Sequence, residues 1–187
     1  MITLLQHFAQ FITVSDHLQE ELTSRVKEQA YKKGALVHDA GKICTQNYFI
    51  QQGLMRLYFL KDGKEVSDYF GAEGEWVNSP RSMMFRQLDH YYIDALEDCE
   101  VLTLSVVDLV YLFDHFPEME RYARLSMGSM FYQFMERITS LRFTSAKEKY
   151  QHFCEVYNDI YHRIPLGMIA SYLGITQETL SRIRAQN

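Results

Sequence analysis

The sequence predicts an α+β chain: a β-roll of jelly-roll type, one long helix, and a C-terminal helix-turn-helix without a full wing. Three observations carry that prediction. Between Ala35 and Ser105, short alternating segments are punctuated by Gly34, Gly41, Gly53, Gly63, Gly71 and Gly74, as in sheets built of many short strands and regular turns. From Pro117 onward, apolar residues recur at helical spacing over about 25 residues. Ile164 to Asn187 then reads as two short helices around Gly174, the layout of a helix-turn-helix.

The β segment shows its turns most clearly at Asp62-Gly63, a positive-φ pair. Met55, Leu57 and Phe59 alternate with Arg56 and Tyr58 before it, and the chain returns through Val66, Asp68 and Phe70. Tyr91 to Leu96 and Val101 to Ser105 read as later strands. In the long helix, Met119, Ala123, Met127, Met130, Phe134, Ile138 and Leu141 form one stripe, with Tyr122, Phe131 and Met135 off that line. A helix apolar on more than one side is expected to pack on the roll with one face and on a second copy of the chain with another. After Phe143, Ser145 and Glu148 have capping-box spacing, so a new helix starts there. The expected divisions are 1–115 for the roll, 116–143 for the dimerisation helix and 144–187 for the helix-turn-helix unit.

Composition agrees with a packed, water-soluble protein: 47% of residues are apolar and 23% charged, far from the signature of disorder. Neither a signal peptide nor a membrane span is expected, which points to the cytoplasm. Cys44, Cys99 and Cys154 stand too far apart for the close pairs of zinc sites or iron–sulfur clusters. The net charge of −5 is unevenly spread: residues 1–144 carry −6 and residues 145–187 carry +1. Contact with nucleic acid must therefore come from the tail.

In that tail, Ile169, Leu173, Ile175, Leu180 and Ile183 form a wedge, Ala170 is small where the helices cross, and Gly174 suits a left-handed turn. The other side of the second helix presents Thr176, Gln177, Glu178, Ser181, Arg182 and Arg184. Glu178 can accept from a cytosine amino group and Arg182 can donate two bonds to guanine, and at i and i+4 they share a face. The plainer reading is that the two merely form a solvated ion pair.

GITQETLSR resembles the recognition-helix signature of the bacterial cyclic-AMP receptor/fumarate-nitrate regulator (Crp/Fnr) family, and IQQGLMRLYFLKDGKE resembles part of that family's cyclic-nucleotide-binding-like sensor roll. The resemblance implies a homodimeric, sequence-specific DNA-binding transcriptional regulator rather than an enzyme. Gln177, Glu178 and Arg182 would face bases, with Thr176, Thr179 and Ser181 near phosphates. Palindromic double-stranded DNA and a second copy of the chain are the implied partners, with RNA polymerase and a small ligand as further candidates. Two departures stand out: no β-hairpin wing follows the recognition helix, and the first helix opens with Pro165-Leu166-Gly167 where relatives often place a hydroxyl and a basic side chain. Both imply fewer phosphate contacts.

Relatives that bind cyclic AMP share a cassette in which a Gly-Glu pair holds the ribose and an Arg-Ser or Arg-Thr pair neutralises the phosphate. Anchored on Gly74-Glu75-Trp76 and on Cys99-Glu100, that cassette falls on Asn78-Ser79 and Asp89-His90, so an aspartate stands where the phosphate arginine is expected. The adenine contacts fall on Phe134 and Met135. Cyclic AMP is therefore not expected as a ligand, and the effector is unknown. Arg81 or Arg86 could substitute for the missing cation. An apolar ligand could use Trp76, Met83, Met84, Phe85 and Tyr91, or the protein's own side chains could fill the space. A metal-binding cupin would need clustered histidines, whereas His38 and His90 stand apart, and no catalytic constellation or metal site is visible. The remaining alternative is a ligand- or partner-binding roll without DNA binding.

Overall fold

A computed structural model describes residues 3–186 of the chain. Two short helices open it, α1 (Leu4–Ala9) and α2 (Asp16–Arg25). Hydroxyls answer free amides at both starts: Thr3 accepts from Gln6 N, and Ser15 from Leu18 N. The strands follow: β1 (Lys27–Tyr31), β2 (Leu36–His38), β3 (Gln46–Gln52), β4 (Met55–Lys61), β5 (Lys64–Gly71) and β6 (Trp76–Val77). Helix α3 (Pro80–Phe85) precedes β7 (Tyr91–Ala95) and β8 (Cys99–Ser105). All pairings are antiparallel, in two four-stranded sheets of order β1-β8-β3-β6 and β2-β7-β4-β5.

The interior of the roll is filled by Ile50, Met55, Leu57, Val77, Ile93 and Val101, with Tyr69 and Tyr91 packed against them. A second apolar layer lies outside the β1-β8-β3-β6 sheet. There Phe49 and Leu104 meet Phe8 of α1, Leu18 and Leu22 of α2, Leu112 of α4 (Val106–His115) and Met119.

The β4–β5 hairpin turns at Asp62 (φ 53°) and Gly63 (φ 75°), as the sequence leads one to expect. Strict alternation does not hold. Arg56 and Tyr58 are as buried as Met55 and Leu57, because the Arg56 guanidinium meets Asp94 and Glu65 and lies 4.0 Å over the Tyr58 ring. A bulge on β5 leaves Asp68 without a partner on β4, where Leu57 pairs with Tyr69 and Tyr58 with Ser67.

Helix α5 (Pro117–Phe143) runs 27 residues, about 40 Å at 1.5 Å per residue. Its apolar stripe is not uniform in use. Met119 and Tyr122 are buried against the roll and its helices, whereas Met127, Met130, Phe131, Phe134, Met135 and Ile138 are all exposed. Of the stripe, the distal part is thus left exposed while its start belongs to the core.

The chain then forms α6 (Ala146–Val156), a 3-10 turn (Tyr161–Arg163), α7 (Leu166–Leu173) and α8 (Gln177–Ala185). Ser145 and Glu148 close a reciprocal capping box on α6. The tail does not hang free. Leu54, Phe70 and Ala72 of the roll share one core with Phe153, Tyr157, Ile169, Leu173 and Leu180, and Phe70 meets the rings of Phe153, Tyr157 and Tyr172 edge-on or tilted. Strand β5 is a sheet edge, and α7 covers it: Ser67 N donates to Ser171 Oγ at 3.1 Å.

Candidate DNA-reading surface and sensor pocket

The turn between α7 and α8 is built as its residues dictate. Gly174 ends α7 in the left-handed conformation (φ 65°), and Ile175 N reaches back to Ala170 O at 3.0 Å. Ile169, Ala170, Leu173, Leu180 and Ile183 are buried and Ile175 partly so, which fixes the interhelical angle. Thr176 caps α8 by accepting from Thr179 N at 3.2 Å, and its hydroxyl donates to Thr179 Oγ1 at 3.1 Å. The Thr176 hydroxyl is thereby committed to the helix start.

Gln177, Glu178, Ser181 and Arg182 are exposed. Among the described residues, Glu178 and Arg182 form no ion pair with each other, so the Arg182 guanidinium is not spent on Glu178. The amide at Glu178 itself and the Thr176 hydroxyl hold the Glu178 carboxyl below the usual glutamate range. Gly167 has a local reason: a Cβ there would lie 3.1 Å from Gln177 Oε1, so the missing side chain leaves Gln177 room beside α7. Arg184, at the flank of this face, lines a cleft of about 360 Å³ with Tyr150, Gln151, Cys154, Glu155 and Tyr161.

The sensor candidates are not all brought together. Asn78 Nδ2 donates to Asn47 Oδ1 at 2.9 Å, and Ser79 stands buried at the start of α3 with an unpartnered hydroxyl. Asp89 is buried: its Oδ1 accepts from His90 N and Tyr91 N at 2.8 and 3.0 Å, and its Oδ2 lies 3.4 Å from His38 Nε2. Burial pushes the His38 imidazole down, partly offset by Asp89. His38 is thus buried beside Asp89, a juxtaposition that the spacing of the two residues in the sequence does not signal.

Arg81 is on the outside, 3.3 Å from His90 Nδ1, and Arg86 ends α3 as an exposed left-handed residue (φ 50°). Trp76 faces away from these, packed among His7, Phe8 and Phe49. Phe134 and Met135 are exposed on α5. Tyr91 OH donates to Asp68 Oδ2 at 2.7 Å, and Arg137 of α5 takes Asp68 Oδ1 and the bulged Asp68 carbonyl, each at 2.7 Å. The same guanidinium lies 4.2 Å over the Tyr172 ring of α7.

Residues 28–116 match the model of the cyclic nucleotide-binding domain. Over that stretch, just under half of the chain, the roll is similar to that domain family. No curated protein matches the chain. Solved structures extend the likeness to the helices that follow. FixK2 from Bradyrhizobium japonicum superposes with a TM-score of 0.74 at 18% identity, covering 86% of this chain and 83% of that one. The c-di-GMP-responsive regulator CLP of Xanthomonas campestris gives 0.73 at 13% identity, covering 92% and 91%. A Crp/Fnr-family regulator from Eubacterium rectale gives 0.72 at 20% identity, covering 92% and 82%. The fold is that of the Crp/Fnr transcriptional regulators, and no helix among the described residues is long and apolar enough to cross a membrane.

Proposed function

We propose that the chain is a sequence-specific DNA-binding transcriptional regulator, not an enzyme, that works in the cytoplasm as a homodimer. One observation carries the reading: a helix-turn-helix whose wedge is buried while Gln177, Glu178, Ser181 and Arg182 stand exposed on one side of its second helix. Buried apolar residues fix the motif, and the side chains left outside are those that reach base edges and phosphates. The exposed distal stripe of α5 supports the second copy. Two such helices would meet successive major grooves about 34 Å apart.

In this reading the chain divides at 1–115, 116–143 and 144–187, the last unit reading DNA and the first sensing. Cyclic AMP is not the effector in this reading. The position expected for a phosphate arginine holds Asp89, its carboxylate turned inward to two amides and His38. A carboxylate in place of a charge-assisted pair removes about 1.5–3 kcal/mol and adds repulsion.

Selection from a random DNA pool tests the central claim: a palindromic consensus is expected, and failure to enrich any sequence overturns it. Calorimetry with cyclic AMP tests the second. No binding is expected, and a micromolar dissociation constant lost on mutating Arg81 or Arg86 would refute it.

A further inference from the structure

Arg163, in the 3-10 turn before α7, reaches across to two carboxylates of the roll. Its Nη1 donates to Glu73 Oε2 at 2.8 Å and its Nη2 to Glu73 Oε1 at 3.0 Å, while Nε donates to Glu97 Oε1 at 3.0 Å and Nη2 also to Glu97 Oε2. All three side chains are more than half buried. Glu73 is itself tied down, since its Oε1 accepts from Gly53 N at 2.9 Å. Gly53 is tightly enclosed: a Cβ there would lie 2.6 Å from Asp98 O and Cys99 Sγ. Burial works against the Glu73 carboxylate, yet Arg163 and the Gly53 amide outweigh it and keep it below the usual glutamate range. Glu97 and then Glu73 hold the Arg163 guanidinium firmly charged.

Among the described residues, this clasp is one of two directional anchors between the roll and the tail. The other lies along β5, where Ser67 meets Ser171 of α7, beside Arg137 of α5, which binds Asp68 and lies over the Tyr172 ring. The aromatic cluster between them is apolar burial, which is non-directional and tolerates sliding. A planar fork on two carboxylates does not, because each bond fixes a direction. One anchor permits a swing about it, whereas two anchors set an angle.

We propose that Arg163 is a positioning residue for DNA reading: by clasping Glu73 and Glu97 in cis it fixes the angle of the recognition helix on its own roll, and with it the half-site spacing that a dimer accepts. The proposal rests on the DNA-binding, dimeric reading above. Glu73 also immediately precedes Gly74-Glu75, the turn that resembles the ribose-holding pair of relatives. A displacement of that turn would reach the helix-turn-helix through Arg163 without passing along α5.

The test replaces Arg163 with Met, which keeps bulk and removes the fork. Spin labels at exposed Glu28 and Gln186, in a Cys154→Ser background and diluted with unlabelled protein, report the roll-to-tail distance. A single narrow distribution is expected for the parent, and a broadened or shifted one for R163M. On palindromes with varied half-site spacing, R163M should lose about tenfold at the preferred spacing, within the usual range of coupling between sites, while keeping its base preference in each half-site. R163K should restore part of the discrimination, and E73Q and E97Q should each fall between parent and R163M. An R163M protein with unchanged distances and an unchanged spacing profile would overturn the proposal. If the parent binds no DNA at all, the functional reading fails, and the distance measurement still decides whether Arg163 sets the angle.

Discussion

Arg182 stands on α8 without a carboxylate on its guanidinium among the described residues, although Glu178 is one turn away. That freedom separates a base-reading arginine from one spent on helix stability. Arg182→Ala is expected to cost about 1–3 kcal/mol of specific binding and to relax preference at one base pair per half-site. Ser181→Ala should matter less. Uniform weakening on all sequences with a flatter salt dependence would instead make Arg182 a phosphate contact. Two other single residues tie stability to pH. Burial holds both His7 and His38 below the ordinary imidazole value, His7 in a ring of Phe8, Phe11, Phe49, Trp76 and Tyr122. The unfolded chain takes up these protons at about pH 6.5 and the folded chain only at lower pH. Their stabilisation is therefore complete above the unfolded value and is lost as pH falls towards the folded one. The unfolding midpoint should drop between about pH 7.5 and 5.5, and His7→Gln should flatten part of that slope; a pH-independent midpoint would contradict the assignment.

At the scale of the element, the stripe of α5 is divided between burial and exposure. Its first turns belong to the core of its own chain, through Met119 and Tyr122, while its distal half exposes Met127 to Ile138 to any partner. Replacing Met130 and Phe134 together with Glu should leave the fold intact and give a sedimentation mass of 22.1 kDa rather than twice that, with loss of DNA binding. An unchanged dimer mass would move the interface elsewhere. Spacing in the sequence shows that a stripe exists but does not apportion it between intramolecular and intermolecular use, since both demand the same residues at the same period.

At the scale of the whole molecule, the parts set by local chemistry are the ones that could be read in advance. Asp62-Gly63, the Ser145 capping box and the Gly174 turn depend on residues within a few positions of one another, and each stands where the sequence puts it. The exposed side of α8 follows from the same short-range periodicity. What could not be read are the long-range contacts: the burial of Arg56 through Asp94 and Glu65, the bulge at Asp68, and the pairing of His38 with Asp89. Trp76 shows the same gap within the candidate site. Its neighbours in sequence are cassette residues, yet sheet pleating turns it to the outer layer with α1.

The covering of β5 by α7 has a consequence for handling the protein in pieces. A roll cut off after residue 143 would carry a bare strand edge beside the uncovered Leu54, Phe70 and Ala72. Such an edge, next to apolar surface, invites pairing with another chain. The truncated roll should therefore form concentration-dependent aggregates visible by light scattering at concentrations where the full chain stays clear. A roll of this design cannot be transplanted as a free-standing module unless the edge is masked as well.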